Sequence, residues 1–236
     1  MIIDLGTGDG RAVLALAAAE PRSFVIGIDA NAAAMAESSR RAWRPHGRRP
    51  VANAWFLVEA AEALPGSLAG VASLVTVTMP WGSLLRGVLG LDPVTRHGIA
   101  SVLAPGGRLE VLASVTPADG VDGLATLDGE AGAAIASAWA GAGLALVAMR
   151  RATVEDLRRT RSSWARRLGD RPVWRLELVH AASPGPQPTD AADAPTRPLA
   201  RWATLSPDST TQAHRHRAGR QRRTCERGQG DDAPAR

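Results

Sequence analysis

Short apolar runs alternate with helical patterns along residues 1 to about 150 of this chain. Runs that indicate strands lie at residues 1–3, 24–28, 55–58, 74–79, 108–112 and 144–149, the fifth of them entered by a Pro-Gly-Gly turn at 105–107. Stretches with apolar residues at helical spacing lie between these runs, among them 11–19, 31–43 and 131–142. Strands that alternate with helices predict an α/β fold with a mostly parallel sheet and helices on both faces.

A basic helix and an alternating strand end the patterned part of the chain. The helix is predicted at 153–168, because Thr153 opens it and two acidic residues lie in its first turn. Residues 173–179 alternate polar and apolar side chains, which predicts a last strand that is antiparallel. From about Ser183 the apolar pattern ends. We therefore expect one domain at 1–182 and a disordered Pro/Arg-rich tail at 183–236.

A glycine-rich turn joins the first strand to the first helix. Residues 4–10 read Asp-Leu-Gly-Thr-Gly-Asp-Gly, and the glycines let backbone amides approach a ligand that a β-carbon would exclude. Such turns bind dinucleotides or S-adenosylmethionine. The leading Asp4 favours S-adenosylmethionine, because its carboxylate can pair with the ammonium of the methionine moiety; an ordinary glycine-rich turn is the alternative. The candidate cofactor residues in this segment are Asp4, Gly6, Thr7, Gly8 and Gly10.

Acidic residues follow the second and third strands. Asp29 ends the second strand about 20 residues after the glycine turn, where a carboxylate can take both ribose hydroxyls. Asp29 could instead cap the next helix. After the third strand, Ala61 could offer a backbone amide and Glu62 could lie near the adenine, whereas Glu59 is interpreted as solvated.

The segment Met-Pro-Trp-Gly at 79–82 follows the fourth strand, at the edge of the sheet where ligands bind in doubly wound folds. Pro80 fixes the backbone there, and Met79 is expected to border the cofactor. Trp81 offers a face on which a base can stack, worth about 1–3 kcal/mol. Packing in the core is the alternative role for Trp81.

A second tryptophan, Trp164, stands in the basic helix among arginines. Charge for phosphates beside an aromatic face is what a nucleic-acid surface requires. The alternative is an exposed basic helix whose tryptophan packs on the sheet. The nearby arginines are Arg158, Arg159, Arg166 and Arg167, and the tryptophans expected in the core are Trp43, Trp55, Trp139 and Trp174.

Composition narrows the choice of function class. The net charge of +5, the difference between 28 arginines and 23 acidic residues, is compatible with a polyanionic partner. A single cysteine, Cys225, excludes an internal disulfide and a multi-cysteine metal site, so no metal is expected. A run of about 20 apolar residues is lacking, so we expect a cytoplasmic protein without a membrane span. The cluster at 214–223 could touch RNA phosphates, or the tail could have no role.

Three segments, 4–10, 79–90 and 162–168, together resemble the 16S rRNA adenine-1408 N1-methyltransferases, which confer resistance to aminoglycosides such as kanamycin and apramycin. The resemblance covers roughly residues 1–181, and the second segment is its most specific part. It implies a class I S-adenosylmethionine-dependent methyltransferase, Rossmann-like, with a mostly parallel seven-stranded sheet and an antiparallel last strand. The family also carries an N-terminal hairpin that this sequence lacks, and we expect a truncated first strand.

The resemblance also implies a substrate and roles for individual residues. The family acts on the assembled 30S subunit, at the helix 44 region of 16S rRNA, and we expect a monomer. Two tryptophans, matching Trp81 and Trp164, hold the flipped adenine, and a serine matching Ser162 helps to order the second. The residues that match rRNA contacts are Arg166, Arg167 and one of Arg171 and Arg175.

Methylation at N1 of adenine needs no general base from the protein, because that nitrogen carries an in-plane lone pair and is unprotonated at neutral pH. Positioning and base flipping then carry catalysis. Three alternatives stay open: methylation of an exocyclic amine, for which Met79 replaces the polar residue of the usual motif; a small-molecule methyltransferase of secondary metabolism; and a catalytically inert or truncated RNA-binding relative. The intact glycine turn and Asp29 favour a working cofactor site.

Overall fold

The computed structural model describes residues 1–43, 51–121, 124, 126–160 and 171–181. Its strands are β1 (Ile2–Leu5), β2 (Val25–Asp29), β3 (Ala54–Val58), β4 (Ala72–Thr78), β5 (Leu103–Ala113), β6 (Leu144–Arg151) and β7 (Trp174–His180). Its helices are α1 (Arg11–Ala19), α2 (Ala32–Ala42), α3 (Gly82–Val88), α4 (Pro93–Ser101), α5 (Gly129–Ala140) and α6 (Val154–Thr160). The predicted tail at 183–236 lies outside the described residues and stays a prediction.

The strands form one seven-stranded sheet in the order β3-β2-β1-β4-β5-β7-β6. Neighbouring strands from β3 to β5 pair in parallel, whereas β7 pairs antiparallel with both β5 and β6. The predicted mostly parallel sheet with an antiparallel last strand is therefore confirmed. The apolar runs indicated it, because strands of a parallel sheet are buried on both faces.

The strand β5 begins earlier than predicted. Leu103 pairs with Ala72 and Arg108 pairs with Leu74, so residues 104–107 lie outside the regular ladder. The predicted Pro-Gly-Gly turn falls inside this irregularity, and Gly106 has the positive φ of 75° that favours glycine. The turn is confirmed in position, but it interrupts a strand rather than preceding one.

Two helices that the apolar pattern did not predict, α3 and α4, lie between β4 and β5. Glycines in and around α3 obscure its pattern. Helix α4 carries a stronger signal: the Asp92 carboxylate accepts hydrogen bonds from the backbone amides of Val94 and Thr95, at 2.9 and 3.2 Å, and Pro93 follows the cap. An acidic cap followed by proline marks a helix start and could have identified α4 from sequence.

Core side chains pack on both faces of the sheet. Ile2 belongs to one cluster and Ile3 to another, as expected for neighbours on a strand. Trp139 is fully buried, and its indole nitrogen donates to the carbonyl of Val88 at 2.9 Å, which confirms its predicted core position. Trp174 is half-buried and packs against the same cluster as Ile3.

The core assignment was wrong for Trp43 and Trp55, which are 62% and 44% exposed. Trp55 lies on β3, the edge strand of the sheet, and Trp43 is the C-terminal cap of α2. Their ring centroids lie 5.2 Å apart, and Trp55 also contacts Phe24. The two rings therefore pack against each other at the edge of the sheet. In the part of the chain that the structure describes, no helix has the length and apolar character to span a membrane.

Candidate active site

A cleft of about 330 Å³ opens at the carboxyl ends of β1, β2 and β4. It is lined by residues 4–9, 28–30, 59–62 and 78–81, with Ser83 and Leu84. Strand β1 lies between β2 and β4, so the chain order reverses at this point of the sheet. Small-molecule sites of α/β sheets form at such switch points and measure roughly 300–1,000 Å³.

The glycine turn forms the base of the cleft. Gly6, Gly8 and Gly10 have φ values of 70°, 59° and 69°, a region that only glycine enters without strain. A β-carbon on Gly8 would meet no atom within 4 Å, so its open side is available to a ligand. A β-carbon on Gly10 would lie 2.4 Å from the ring of Phe56. Gly10 does not line the cleft, and glycine is required at this position by packing at the start of α1.

Asp29 ties the end of β2 to this turn. Its carboxylate accepts hydrogen bonds from the backbone amides of Gly8 and Asn31, each at 2.8 Å. The cap of α2 is Asn31, whose side chain accepts from the amide of Ala34. The interpretation of Asp29 as a helix cap is therefore wrong. Asp29 lines the cleft, and carboxylate oxygens keep acceptor positions for the hydroxyls of a ligand.

Asp4 is a buried carboxylate in the wall of the cleft, with only 7% of its surface exposed. Burial raises the pKa of Asp4 above its ordinary value, although hydrogen bonding to Thr76 acts in the opposite direction. The Thr76 hydroxyl donates to Asp4 at 2.6 Å, and the two residues are direct partners in the β1–β4 ladder. The sequence interpretation missed Thr76, although pairing of the first and fourth strands would have placed it. A cationic ligand beside Asp4 would stabilise its charged form.

The 3₁₀ turn Ala61–Ala63 forms another wall. Ala61 is buried, and hydrogen bonding to Ser83 is the main cause that lowers the pKa of Glu62, which is therefore ionised. Glu59, interpreted as solvated, is half-buried and lines the cleft; its carboxylate accepts from the amide of Ala60 at 3.0 Å.

The Met-Pro-Trp-Gly segment closes the cleft at the end of β4. Met79 has a φ of 53°, the one positive value among the non-glycine residues that the structure describes, and Gly82 has a φ of 58°. The Met79 amide donates to the carbonyl of Leu112 at 2.7 Å, and its side chain packs with Leu112 and Val173. A strained backbone at a cleft is typical of functional sites. The two left-handed residues bracket Trp81, which lines the cleft and is 53% exposed.

Arg171 lies beside this segment. Its guanidinium forms an ion pair with Asp119, and its Nε donates to the Ser114 hydroxyl at 3.3 Å. The guanidinium carbon is 6.0 Å from the centroid of the Trp81 ring, within the range of a cation–π contact. The structure thus brings a predicted RNA-contact residue next to the predicted stacking platform.

The predicted RNA-contact arginines differ in environment. Arg158 and Arg159 are exposed on α6, and Arg159 pairs with Glu155 at 3.1 Å. The Arg175 side chain is only 17% exposed and pairs with Glu110, Glu177 and Asp156 at 3.0, 2.6 and 3.4 Å. An RNA contact by Arg175 would require these ion pairs to open. The remaining predicted residues, Trp164, Ser162, Arg166 and Arg167, lie outside the described residues.

Comparison with known proteins matches this sequence and fold to one family. The family model described as NpmA, 16S rRNA (adenine(1408)-N(1))-methyltransferase, matches residues 1–178. The 16S rRNA (adenine(1408)-N(1))-methyltransferase of Streptoalloteichus tenebrarius is 35% identical over 174 residues, which cover 71% of this chain and 80% of the relative. This chain belongs to the family.

Solved structures agree with the sequence relatives. A tryptophan-to-alanine mutant of the 16S rRNA (adenine(1408)-N(1))-methyltransferase from Catenulisporales acidiphilia, with cosubstrate SAM, superposes with a TM-score of 0.70 and 32% identity over 78% of this chain and 87% of that one. The 16S rRNA methyltransferase KamB gives a TM-score of 0.69 and 30% identity over 76% of this chain and 87% of its own. The predicted family and class I methyltransferase fold are therefore confirmed.

The cofactor of the family is S-adenosylmethionine, and the cleft fits it in three respects. Gly8 leaves open space beside backbone amides, Asp29 offers carboxylate oxygens, and Asp4 is a buried carboxylate that a cation would stabilise. The individual roles of these residues stay predictions.

Proposed function

We propose that the chain transfers a methyl group from S-adenosylmethionine to N1 of adenine 1408 in 16S rRNA, with the assembled 30S subunit as its substrate. It would act as a monomer in the cytoplasm and confer resistance to aminoglycosides. The observation that carries the proposal is the position of Trp81. A half-exposed aromatic face at the mouth of the cofactor cleft supports stacking of an extruded base beside the methyl group.

Each wall of the cleft is proposed to contact a different part of the cofactor. In this proposal Asp4 pairs with the methionine ammonium, and the amides of the glycine turn approach the same end. Asp29 accepts the ribose hydroxyls, and the backbone of Ala61 with Glu62 borders the adenine. Met79, which follows the end of β4, lines another side of the cleft.

The chain's own part in the reaction is to position the two reactants. When bound, S-adenosylmethionine supplies an electrophilic methyl group on a positively charged sulfur. The accepting nitrogen is unprotonated at neutral pH, so no side chain has to remove a proton. Trp81 would hold the extruded base in line with the methyl group, with Trp164 as the second platform, ordered by Ser162. Well-oriented reactants can gain about 7–11 kcal/mol from positioning alone.

Arginines on α6 and beside Trp81 support an RNA partner. Arg158 and Arg159 project from α6, and Arg171 lies against Trp81, where a guanidinium could pair with a phosphate of the flipped nucleotide. Arg166 and Arg167 would extend this surface. Arg175 is not included among the proposed RNA contacts, because its guanidinium forms three ion pairs within the protein.

The proposal is tested with purified protein, intact 30S subunits and methyl-labelled S-adenosylmethionine, followed by reverse transcription to locate the modified nucleotide. We expect label in 16S rRNA and a stop at adenine 1408. Subunits with guanine at that position are the control, because N1 of guanine carries a proton; they should take up no label. Methylation at another nucleotide, or equal labelling of the control subunits, would contradict the proposal. Cofactor binding without transfer would support the inert-relative alternative.

A further inference from the structure

We propose that Gly98 and Thr95, on helix α4 behind the cleft, are positioning residues for its adenine wall. Neither residue lines the cleft, yet both pack against the turn Ala61–Ala63 that does. The inference rests on the proposed function in one respect, the assignment of Ala61 and Glu62 to the adenine of S-adenosylmethionine.

Gly98 allows α4 to approach the backbone of this turn. A β-carbon at position 98 would lie 1.9 Å from the carbonyl oxygen of Ala61 and 3.1 Å from its carbonyl carbon. Both atoms belong to the backbone, so no side-chain rotation can relieve the clash. Any larger residue at position 98 must therefore push the helix and the turn apart.

A displaced turn would change the wall of the cleft. The carbonyl group of Ala61 lies against Gly98, and Ala61 and Glu62 also line the cleft. Helix α4 is itself fixed, because Ile99 and Ala100 are buried in the core cluster. We therefore expect the turn to move rather than the helix, which would displace the cleft wall at Ala61 and Glu62 and leave the Asp4 end unchanged.

Thr95 lies one helical turn before Gly98, on the same face of α4. It is fully buried, and its hydroxyl donates to the Asp92 carboxylate at 3.1 Å. Thr95 also lies near the Glu62 carboxylate, because Ser83 and, to a smaller extent, Thr95 lower the pKa of Glu62. The Thr95 methyl group occupies the space beside Gly87, where a β-carbon would come within 2.4 Å of it. Thr95 is therefore wedged between α3 and the Glu62 carboxylate.

The first test compares Gly98→Ala with the wild type by calorimetry and kinetics. We expect the dissociation constant of S-adenosylmethionine, and its KM, to rise about tenfold or more, since a misplacement near 1 Å suffices for large losses. The kcat at saturating cofactor and the KM for 30S subunits should stay within about twofold, because the RNA-facing residues are untouched. A general loss of structure would not produce this division between the two substrates.

The matched control is Gly132→Ala, a helical glycine on α5 whose β-carbon would meet only the flexible Met149 thioether, at 3.1 Å and beyond. This variant should bind S-adenosylmethionine like the wild type. Circular dichroism and thermal melting verify that both variants fold. Wild-type cofactor affinity in folded Gly98→Ala would overturn the inference, even with the methyltransferase activity intact. Failure of the wild type to methylate 30S, with the affinity difference preserved, would affect the proposed function alone.

A second pair of variants decides the matter if Gly98→Ala does not fold. Thr95→Val keeps the volume and removes the hydroxyl, whereas Thr95→Ser keeps the hydroxyl. We expect cofactor affinity to fall several-fold in Thr95→Val and to stay within about twofold of the wild type in Thr95→Ser. Equal affinities in the two variants, or a larger loss in Thr95→Ser, would contradict a positioning role for the hydroxyl.

Discussion

The cofactor cleft and the arginine-bearing side of the molecule carry charges of opposite sign. In the cleft the charged side chains are all carboxylates, and two of them are held by hydrogen bonds: Asp4 by the Thr76 hydroxyl and Asp29 by backbone amides. The arginine-bearing side, a name used here for Arg158, Arg159 and Arg171, carries positive charge, which is exposed at Arg158 and Arg159 and half-buried at Arg171. The cleft therefore suits one small ligand in one orientation, whereas the other side suits a polyanion.

Neighbouring arginines of this chain have different roles. Arg175 lies on β7 within an internal network of three carboxylates, and Arg150 binds the same Asp156 at 2.6 Å. This network fastens the start of α6 to the sheet. Arg158, two residues after Asp156, is exposed. Arginines that stabilise the protein and arginines available to RNA thus lie within one turn of each other.

Asp4 should show the largest effect on the cleft alone. Loss of a charge-assisted hydrogen bond of about 1.5–3 kcal/mol predicts that Asp4→Asn weakens S-adenosylmethionine binding roughly 10- to 100-fold. The KM for 30S subunits should not change. Calorimetry and initial-rate kinetics measure the two quantities. A proportional change in both would show that the two regions are not separable.

The same residue predicts a pH dependence. The pKa of Asp4 is raised in the folded protein, and a bound ammonium favours its charged form. Cofactor affinity should therefore fall as the pH drops through the raised pKa, and Asp4→Asn should lack this dependence. Thr76→Val removes an interaction that lowers the pKa, so it should move the midpoint to higher pH. An unchanged midpoint in that variant would contradict the assignment.

A smaller effect is expected from the exposed arginines. Arg158→Ala and Arg159→Ala should each raise the KM for 30S several-fold and reduce the slope of log affinity against log salt by roughly 0.7–0.9 for each phosphate that is no longer neutralised. Cofactor affinity should stay the same. Arg22→Ala, an exposed arginine just before β2, is the charge-matched control. An equal rise of the KM for 30S in all three variants would show that only the overall charge matters, and not the position of Arg158 and Arg159.

The last effect is expected on stability and not on binding, at the network that joins Arg150, Asp156 and Arg175. Ion pairing and hydrogen bonding to Arg150 hold the pKa of Asp156 far below its usual range. The stability that Asp156 contributes is thus present above its ordinary pKa of about 3.9 and is lost as the pH falls below it. Asp156→Asn should lower the free energy of unfolding at pH 7 by about 1–3 kcal/mol and flatten its acid dependence.

Denaturant unfolding at several pH values measures that contribution. Glu155→Gln is the control, because its exposed pair with Arg159 is worth only about 0.3–0.5 kcal/mol. If the two variants lost equal stability, the network would not be the anchor of α6.

How much the sequence predicts differs between the two regions for a physical reason. The places of the glycine turn and Asp29 in the fold could be predicted, because they depend on local backbone geometry and on the ends of adjacent strands. The surroundings of Trp55 and Arg175 could not, because they depend on elements distant in sequence: β3 became an edge of the sheet, and β5 and α6 supplied carboxylates to Arg175. The contact between α4 and Ala61 could not be predicted either, since residues 61 and 98 are distant in sequence. Their backbones approach so closely that only glycine fits at position 98.

Cofactor binding and base positioning are assigned to separate groups of residues in this chain. The most direct test measures cofactor affinity, and methyl transfer to 30S at saturating cofactor, for Trp81→Ala beside Asp4→Asn. We predict that Trp81→Ala binds S-adenosylmethionine within about threefold of the wild type but transfers methyl groups about 100-fold more slowly. Asp4→Asn should show the reverse pattern. Intact transfer by Trp81→Ala, or a parallel loss of both quantities in either variant, would contradict the account.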